Sequence, residues 1–206
     1  MRELNEAAEQ AQALSGAYDF TPISSNWAKW FHEGIPDGPE NVREERRNFA
    51  AIQGHCLKCT SMSGCFFIEG AKTFPTYPHH LNCHCQKQNI APNNVIADCK
   101  IEKFTGYIFS ETYAHNGKKY TYENTFGYTI DDSTNLKAEF DRQAKEKYIS
   151  GEYVLGELKI YGQFITIEIE LDTPKRGSII MKTGWHVHPN GLITCNTPYG
   201  GWHDKI

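Results

Sequence analysis

The sequence predicts an α+β fold, and three patterns in its second half support that prediction. Residues 134–149 repeat apolar side chains at four-residue steps, which is the spacing of one helix face. Residues 164–171 instead alternate strictly between apolar and polar side chains, as a half-buried strand does. The dipeptide Asn190-Gly191, which lies between two further apolar runs, is a strong signal for a β-hairpin. We therefore expect a helix followed by an antiparallel β-meander in the second half.

The first half shows weaker patterns and predicts a small helical and loop module. Residues 1–15 carry apolar side chains at helical spacing, and a second, charged helix is expected over residues 41–51. The polar, proline-containing stretch 89–94 indicates a linker. We therefore predict two modules, residues 1–90 and residues 95–206, of which the second should fold alone.

The elements of the second module follow one another along the chain. Residues 103–109 fit either a helix or a short strand, and the pattern leaves both open. The long helix should end at Gly151, because glycine adopts the left-handed conformation that terminates helices. A turn at 175–177 and another strand from 178 should follow the alternating strand.

Length and charge exclude several classes of protein. The chain has 206 residues with a formal net charge of -4, and 22% of the residues are charged. Non-specific nucleic-acid binding requires a basic surface, so any nucleic-acid chemistry would depend on a local cluster of residues. No apolar run reaches the roughly 18 residues that a membrane span needs, so no membrane partner is expected. The acidic start lacks the apolar segment of a secretory signal, which predicts a cytoplasmic protein or one delivered by other means.

The cysteines are concentrated in one part of the chain. Five of the seven lie between residues 56 and 85. In a chain without a secretory signal, clustered cysteines indicate metal binding before disulfides. Cys65 is an exception, because it precedes Phe66-Phe67 and is expected to pack in the core.

The spacing of the remaining cysteines predicts a structural zinc site. Cys56 and Cys59 form a Cys-x-x-Cys pair, and His80, Cys83 and Cys85 follow as His-x-x-Cys-x-Cys. Zinc prefers four thiolate or imidazole ligands in a tetrahedron, and a closed set of four is structural. We expect the first pair and two of the three later residues to bind one Zn²⁺. The alternatives are buried free cysteines or a redox pair.

This segment resembles the zinc-binding end of the phage Mu F-like minor head (head morphogenesis) proteins. In that family a Cys-x-x-Cys is closed by His-Pro-x-Cys-x-Cys, and Leu81 stands here in the place of the proline. The match covers roughly residues 45–87, and most of the long helical part that precedes it in head proteins is missing. The resemblance implies a structural zinc ion and a phage head component as a partner.

A second resemblance covers about the last 100 residues. The motifs that carry it are Tyr161-Gly162-Gln163, Gly184-Trp185, Val187, Pro189-Asn190-Gly191 and Thr197-Pro198-Tyr199-Gly200. They resemble the C-terminal modules of phage minor head proteins and of contact-dependent or polymorphic toxins. Such modules look like members of the barnase–EndoU–colicin–RelE class of metal-independent ribonucleases. The resemblance implies RNA as the substrate and an immunity protein as a partner.

The hairpin sequence suggests where such chemistry would lie. With a two-residue loop at the tip, His186 and His188 would share a solvent-facing side of the ladder with Cys195. The core side would then hold Trp185, Val187, Leu192 and Thr194. Two imidazoles about 7 Å apart could remove the ribose 2′-hydroxyl proton and protonate the leaving 5′ oxygen.

Two further groups complete the predicted site. Lys118 or its neighbour Lys119 would stabilise negative charge on the phosphorus, and Thr197 would donate a hydrogen bond to a phosphate oxygen. In the structural alternative the histidines are exposed strand residues and the lysines belong to a solvated turn. The sequence therefore predicts a prophage-type toxin or effector with an endoribonuclease-like C-terminal domain and a structural zinc site. The alternative is a non-enzymatic phage or prophage minor head protein.

Overall fold

The computed structural model describes residues 27–32, 56–70, 72–76, 85–112, 117–159 and 162–205. The helices predicted over residues 1–15 and 41–51 lie outside these ranges, as do His80 and Cys83.

The first part of the chain holds a small antiparallel sheet that the sequence analysis did not predict. Strand β1 (Trp27–His32) lies between β2 (Phe66–Ile68) and β3 (Cys85–Gln88), and helix α1 (Leu57–Met62) precedes β2. All three residues of β2 are buried, so the strand shows no alternation of polar and apolar side chains. Its partner strands are also short, which left no periodic signal in this region.

The second part of the chain is built on a mixed six-stranded sheet. Its strands are β4 (Ile96–Asp98), β5 (Val154–Lys159), β6 (Gly162–Thr173), β7 (Gly177–Val187), β8 (Leu192–Thr197) and β9 (Trp202–Asp204). The order is β4-β8-β7-β6-β5, and β9 also pairs with β7. Strand β4 runs parallel to β8, and the other pairs are antiparallel. The predicted α+β fold and the predicted meander are confirmed.

Helices cover one side of this sheet. The ambiguous segment contains a π-helical turn at Phe104–Ile108, and α2 (Gly117–Tyr120) continues into a second one at Thr121–Phe126. Helix α3 (Ser133–Ser150) confirms the predicted long helix and ends at Gly151, whose φ is 77°. Among the described residues, no helix is both long enough and apolar enough to cross a lipid bilayer.

The main core lies between α3 and one side of β6 and β7, which we call the core face. The predicted alternation is confirmed, because the apolar residues of β6 and their partners in β7 are buried. They are Ile165, Ile167, Ile169, Leu171, Ile179, Met181, Trp185 and Val187. Helix α3 covers this face with Leu136, Phe140, Ala144 and Tyr148, all of them buried.

A side chain of α3 also protects the part of β6 that β5 leaves unpaired. The β5 ladder reaches only Thr166. Beyond it, the side-chain amide of Gln143 donates to the Glu170 carbonyl oxygen at 2.6 Å and accepts from the Glu170 amide at 2.8 Å. Both polar groups of the strand edge are therefore satisfied, as buried backbone requires.

Buried contacts cross the predicted linker. The hydroxyl of Tyr148 in α3 donates to the Phe66 carbonyl oxygen, and the Ile68 amide donates to the hydroxyl of Tyr153 at 3.0 Å. The ring of Trp27 lies edge-on to Tyr148, with 5.3 Å between centroids. Residues on both sides of the linker thus belong to one buried cluster, while the separate folding of residues 95–206 stays a prediction.

Candidate functional site

The β7–β8 hairpin has a different register from the one expected. His186 lies opposite Thr194, and Trp185 lies opposite Cys195. The loop has three residues, because the His188 amide donates to the Leu192 carbonyl oxygen at 2.8 Å and closes the ladder there. The prediction of a two-residue loop at Asn190-Gly191 is therefore wrong, although the turn itself lies where it was expected.

In this register, each side chain of β8 from Leu192 to Cys195 points to the face opposite the expected one. A shift of one residue turns every side chain of a strand to the opposite face. Cys195 and Ile193 are buried on the core face with Trp185 and Val187, as the latter two were predicted to be. The predictions that Cys195 shares a face with the histidines and that Leu192 and Thr194 point to the core are wrong. We call the surface formed by Phe164, His186, His188 and Thr194 the histidine face.

A β-bulge returns the end of β8 to the predicted pairing. Gly184 lies opposite Thr197 as expected, because the register shifts between Gly184 and Trp185. The two residues are closely packed, since a Cβ atom on Gly184 would lie 3.0 Å from the Thr197 Cγ2. The Thr197 hydroxyl donates to the Tyr199 carbonyl oxygen at 3.0 Å, so it holds the following turn in place.

The two imidazoles are adjacent, and their environments differ. Their ring centroids are 5.8 Å apart, and the Nε2 of His188 is 2.7 Å from the Thr194 hydroxyl oxygen. His186 is partly buried, whereas His188 is only 3% exposed and does not face solvent as expected. The reason is that the hairpin tip docks on the loop after α1, where the Asn190 amide donates to the Gly64 carbonyl oxygen at 3.1 Å.

An aromatic ring and a cation lie beside His186, and the sequence analysis missed both. Phe164 is opposite His186 in the β6–β7 ladder, and the two ring centroids are 3.7 Å apart. The Nζ of Lys159 lies 5.2 Å from the Phe164 centroid and 3.5 Å from a carboxylate oxygen of Glu157. Lys159 pairs with Gly162, two residues before Phe164, so both side chains lie on the same side of the sheet.

Lys118 belongs to a segment that packs on the other side of the sheet. Its Nζ donates to the Tyr107 hydroxyl and lies 4.3 Å from the centroid of that ring. The segment is anchored by the fully buried Tyr122, whose hydroxyl donates to the Pro198 carbonyl oxygen at 3.1 Å, and by Phe126, whose ring contacts Trp202 opposite Met181 of the core face. Lys119 pairs with Glu111 and Glu123. The structure thus associates Lys159, rather than the lysines of this segment, with the histidine face.

Three of the five predicted zinc ligands lie within the described residues. Cys56 immediately precedes α1, Cys59 is buried within α1, and Cys85 is buried at the start of β3. Positions three residues apart share one side of a helix, which suits Cys56 and Cys59 as a ligand pair. Within the described residues, no group of three or more His, Cys, Asp or Glu side chains could hold a metal ion. Cys65 is buried, as predicted.

A surface cleft of about 770 Å³ lies between α3 and the distal ends of β6 and β7, and no residue of the histidine face lines it. Its lining holds more acidic than basic side chains, and its cations are engaged, as Arg142 is with Glu139 and Lys205 with Glu170. We therefore place the candidate site on the histidine face, where groups capable of proton transfer are adjacent.

Comparison with known proteins adds no assignment. No protein-family model, curated protein or solved structure matches the chain. The functional argument therefore depends on the side chains of the histidine face and on their geometry.

Proposed function

We propose that the chain is an endoribonuclease of the toxin or effector type, and that RNA binds on the histidine face. The observation that carries this proposal is the pair of imidazoles with ring centroids 5.8 Å apart, on the side of the sheet that α3 does not cover. Imidazole is the side chain whose ordinary pKa suits both proton acceptance and proton donation near neutral pH. A phage or prophage effector of this kind would act in the cytoplasm, and an immunity protein is the expected partner.

The proposed reaction needs no metal ion in its chemistry. One imidazole accepts the proton of a ribose 2′-hydroxyl, whose oxygen attacks the adjacent phosphorus. The bond from phosphorus to the 5′ oxygen breaks, and the second imidazole donates a proton to that oxygen. The products are a 2′,3′-cyclic phosphate and a free 5′-hydroxyl. Thr194 fixes the orientation of His188 through the 2.7 Å contact with its Nε2.

Lys159 takes the role that the sequence analysis gave to Lys118. Negative charge builds on the phosphate oxygens during the attack, and a nearby cation stabilises it. Lys159 is half-exposed and lies over Phe164, the ring that contacts His186. Phe164 also offers an aromatic surface on which a base of single-stranded RNA could stack.

RNA cleavage by the purified full-length chain tests the proposal. Wild-type protein should cleave RNA in the presence of EDTA and leave a 2′,3′-cyclic phosphate, with a bell-shaped dependence of rate on pH. His186→Ala and His188→Ala should each lower the rate by about 10²–10⁴-fold, the usual contribution of a general acid or base. His203→Ala is the matched control, because His203 is an exposed histidine of the same sheet.

Two lysine variants show which cation stabilises the negative charge on the phosphate. Lys159→Ala should lower the rate severalfold or more, while Lys118→Ala should leave it near the wild-type value. If Lys118→Ala lowers the rate and Lys159→Ala does not, Lys118 is the cation of the site and the role given to Lys159 is wrong. Circular dichroism of each variant distinguishes a loss of chemistry from a loss of folding.

One observation favours the non-enzymatic alternative, a phage or prophage minor head protein. A histidine that is 3% exposed and bonded to a threonine hydroxyl fits a structural role in the hairpin as well as a chemical one. If well-folded protein cleaves no RNA and instead co-purifies with capsid or portal, this alternative replaces the ribonuclease proposal.

We also propose one structural zinc ion per chain, bound by Cys56, Cys59 and two of His80, Cys83 and Cys85. The donor set supports this, since thiolates and imidazole are the ligands that zinc prefers. Ligand binding to the folded state alone stabilises it, so removal of zinc should lower the unfolding temperature. Elemental analysis should find one zinc in the wild type and none in Cys56→Ala, while Cys195→Ala keeps its metal. Zinc content and circular dichroism are both measured in the EDTA cleavage samples, so that lost activity points to a catalytic metal only where zinc is lost and the fold is kept.

A further inference from the structure

Cys99 and Cys195 are far apart in the sequence and adjacent in the structure. Strand β4 runs parallel to β8, and Asp98 lies opposite Thr194. The next positions along the two strands are therefore Cys99 and Cys195. Residues opposite each other on neighbouring strands place their side chains on the same side of the sheet, and both thiols are buried, with exposures of 0% and 5%.

The two thiols are neighbours and are not joined. Cys99 and Cys195 are both free cysteines, and the parallel register places their buried side chains beside each other on the core face. Neighbouring strands are separated by roughly 4.8 Å, which falls in the Cα–Cα range of about 4.4–6.8 Å found for disulfides. A bond between the two sulfur atoms would therefore require little movement of the backbone.

We propose that Cys99 and Cys195 form a buried disulfide when the chain meets a small-molecule disulfide of the glutathione type. One cysteine thiolate attacks the reagent, forms a mixed disulfide and releases one reagent thiol. The second cysteine then attacks the protein sulfur of that mixed disulfide and releases the second reagent thiol. The protein loses two hydrogen atoms, and one reagent disulfide is reduced to two thiols.

The surroundings of the pair make the reaction depend on opening of β4. The neighbouring Cys195 thiol and burial raise the pKa of the Cys99 thiol, so the folded chain holds little of the reactive thiolate. Strand β4 has only three residues, and the Cys99 amide is tied to α3 by a 2.5 Å hydrogen bond to an Asp141 carboxylate oxygen. Oxidation should therefore be slow in the closed fold and faster where β4 separates from β8. Once formed, the bond should resist reductants for the same reason.

Tryptic mapping of the full-length, zinc-loaded chain tests the proposal. Trypsin releases residues 88–100 and 183–205, which contain Cys99 and Cys195 as their only cysteines. After refolding with oxidised glutathione, the two peptides should appear as one linked species that a reductant separates. Native protein should give the same species more slowly, and a low concentration of urea should accelerate its formation.

The thermal midpoint provides a second measurement. A cross-link that closes a long loop restricts the unfolded chain, so the midpoint should rise by about 5–10 °C over the reduced protein. Cys99→Ala and Cys195→Ala should both abolish the linked species and the rise. The proposal is overturned if refolding with oxidised glutathione leaves both peptides unlinked, each carrying glutathione or a free thiol. That result is read on the wild-type chain and does not depend on the folding of the variants.

Discussion

The two faces of β6 and β7 obtain their structure in different ways. On the core face, apolar side chains lie opposite apolar side chains at three of four successive pairs, as Ile165 opposite Trp185 and Leu171 opposite Ile179 illustrate, and the buried Thr183 lies opposite Ile167. On the histidine face, each contact is particular: Phe164 against His186, and His188 against the Thr194 hydroxyl. The core face therefore depends on a repeated pattern, whereas the histidine face depends on the length of one loop and the position of one bulge.

Removal of a large side chain from the core face should have the greatest effect on stability. Trp185 is fully buried, and its indole nitrogen donates to the Thr183 hydroxyl at 2.7 Å. Trp185→Ala should lower the free energy of unfolding by about 3–5 kcal/mol, because it leaves a cavity and removes the indole hydrogen bond to the buried Thr183 hydroxyl, which keeps its bond to the Ile167 carbonyl oxygen. Urea denaturation measures this loss.

The neighbouring residue on the opposite face is the control for that experiment. His186→Ala should destabilise the chain less than Trp185→Ala, since His186 is only partly buried. Equal losses would contradict the division into a stabilising face and a functional face, because they would make His186 part of the core.

The same division explains how much the sequence could predict. Strict alternation over residues 164–171 predicted which side chains of β6 are buried, and four-residue steps predicted α3 and the face it presents. Both patterns repeat, so a single irregularity does not disturb them. The position of Cys195 could not be predicted in this way, because a three-residue loop and a bulge each change the register by one residue.

Contacts between segments far apart in the chain also could not be predicted from the sequence. The parallel pairing that brings Cys99 to Cys195 joins segments almost 100 residues apart, and three-residue strands such as β2 and β4 carry no periodic signal. The sequence could not associate Lys159 with Phe164 for the same reason. Local spacing identifies a lysine in a turn, but only the sheet shows which lysine lies beside Phe164.

A substitution at the tip of the β7–β8 hairpin should have the next largest effect on stability, because the tip fixes the register of the histidine face. Gly191 has a φ of +79°, and a Cβ atom there would lie 2.2 Å from the Asn94 carbonyl oxygen. Gly191→Ala should therefore cost about 2–4 kcal/mol, through the left-handed backbone and the forced movement of the loop. Urea denaturation and RNA cleavage should both show the change.

Gly177 offers a closely matched control. It has the same φ of +79°, and a Cβ atom there would meet nothing within 4 Å. Gly177→Ala should show only the backbone cost, about 1–2 kcal/mol, with RNA cleavage preserved. If the two variants behave alike, contact between the hairpin tip and residue 94 does not hold the register, and another contact must do so.

The smallest effect is expected from a charge at the far end of β6, on the same side as Phe164. Lys205 donates a hydrogen bond to Glu170 and, with a further contribution from Lys147, lowers the pKa of Glu170 below its ordinary value near 4.5. Between the lowered pKa and the ordinary one, the unfolded chain binds more protons than the folded chain does. The stabilising contribution is therefore present at neutral pH and is lost as pH falls through the folded-state pKa.

Glu170→Gln, which resembles the protonated carboxyl, should thus lower the thermal midpoint at pH 7 by less than about 2 °C, because the pair is exposed to solvent. The difference from wild type should disappear once the pH has fallen below the folded-state pKa of Glu170. Glu168→Gln is the control, since Glu168 is exposed on the same side of β6 and forms no ion pair with another described residue. A midpoint that falls equally in both variants would assign the effect to overall charge. A fall confined to Glu170→Gln, and confined to neutral pH, would instead show that on this side of the sheet even a surface charge acts through one particular partner.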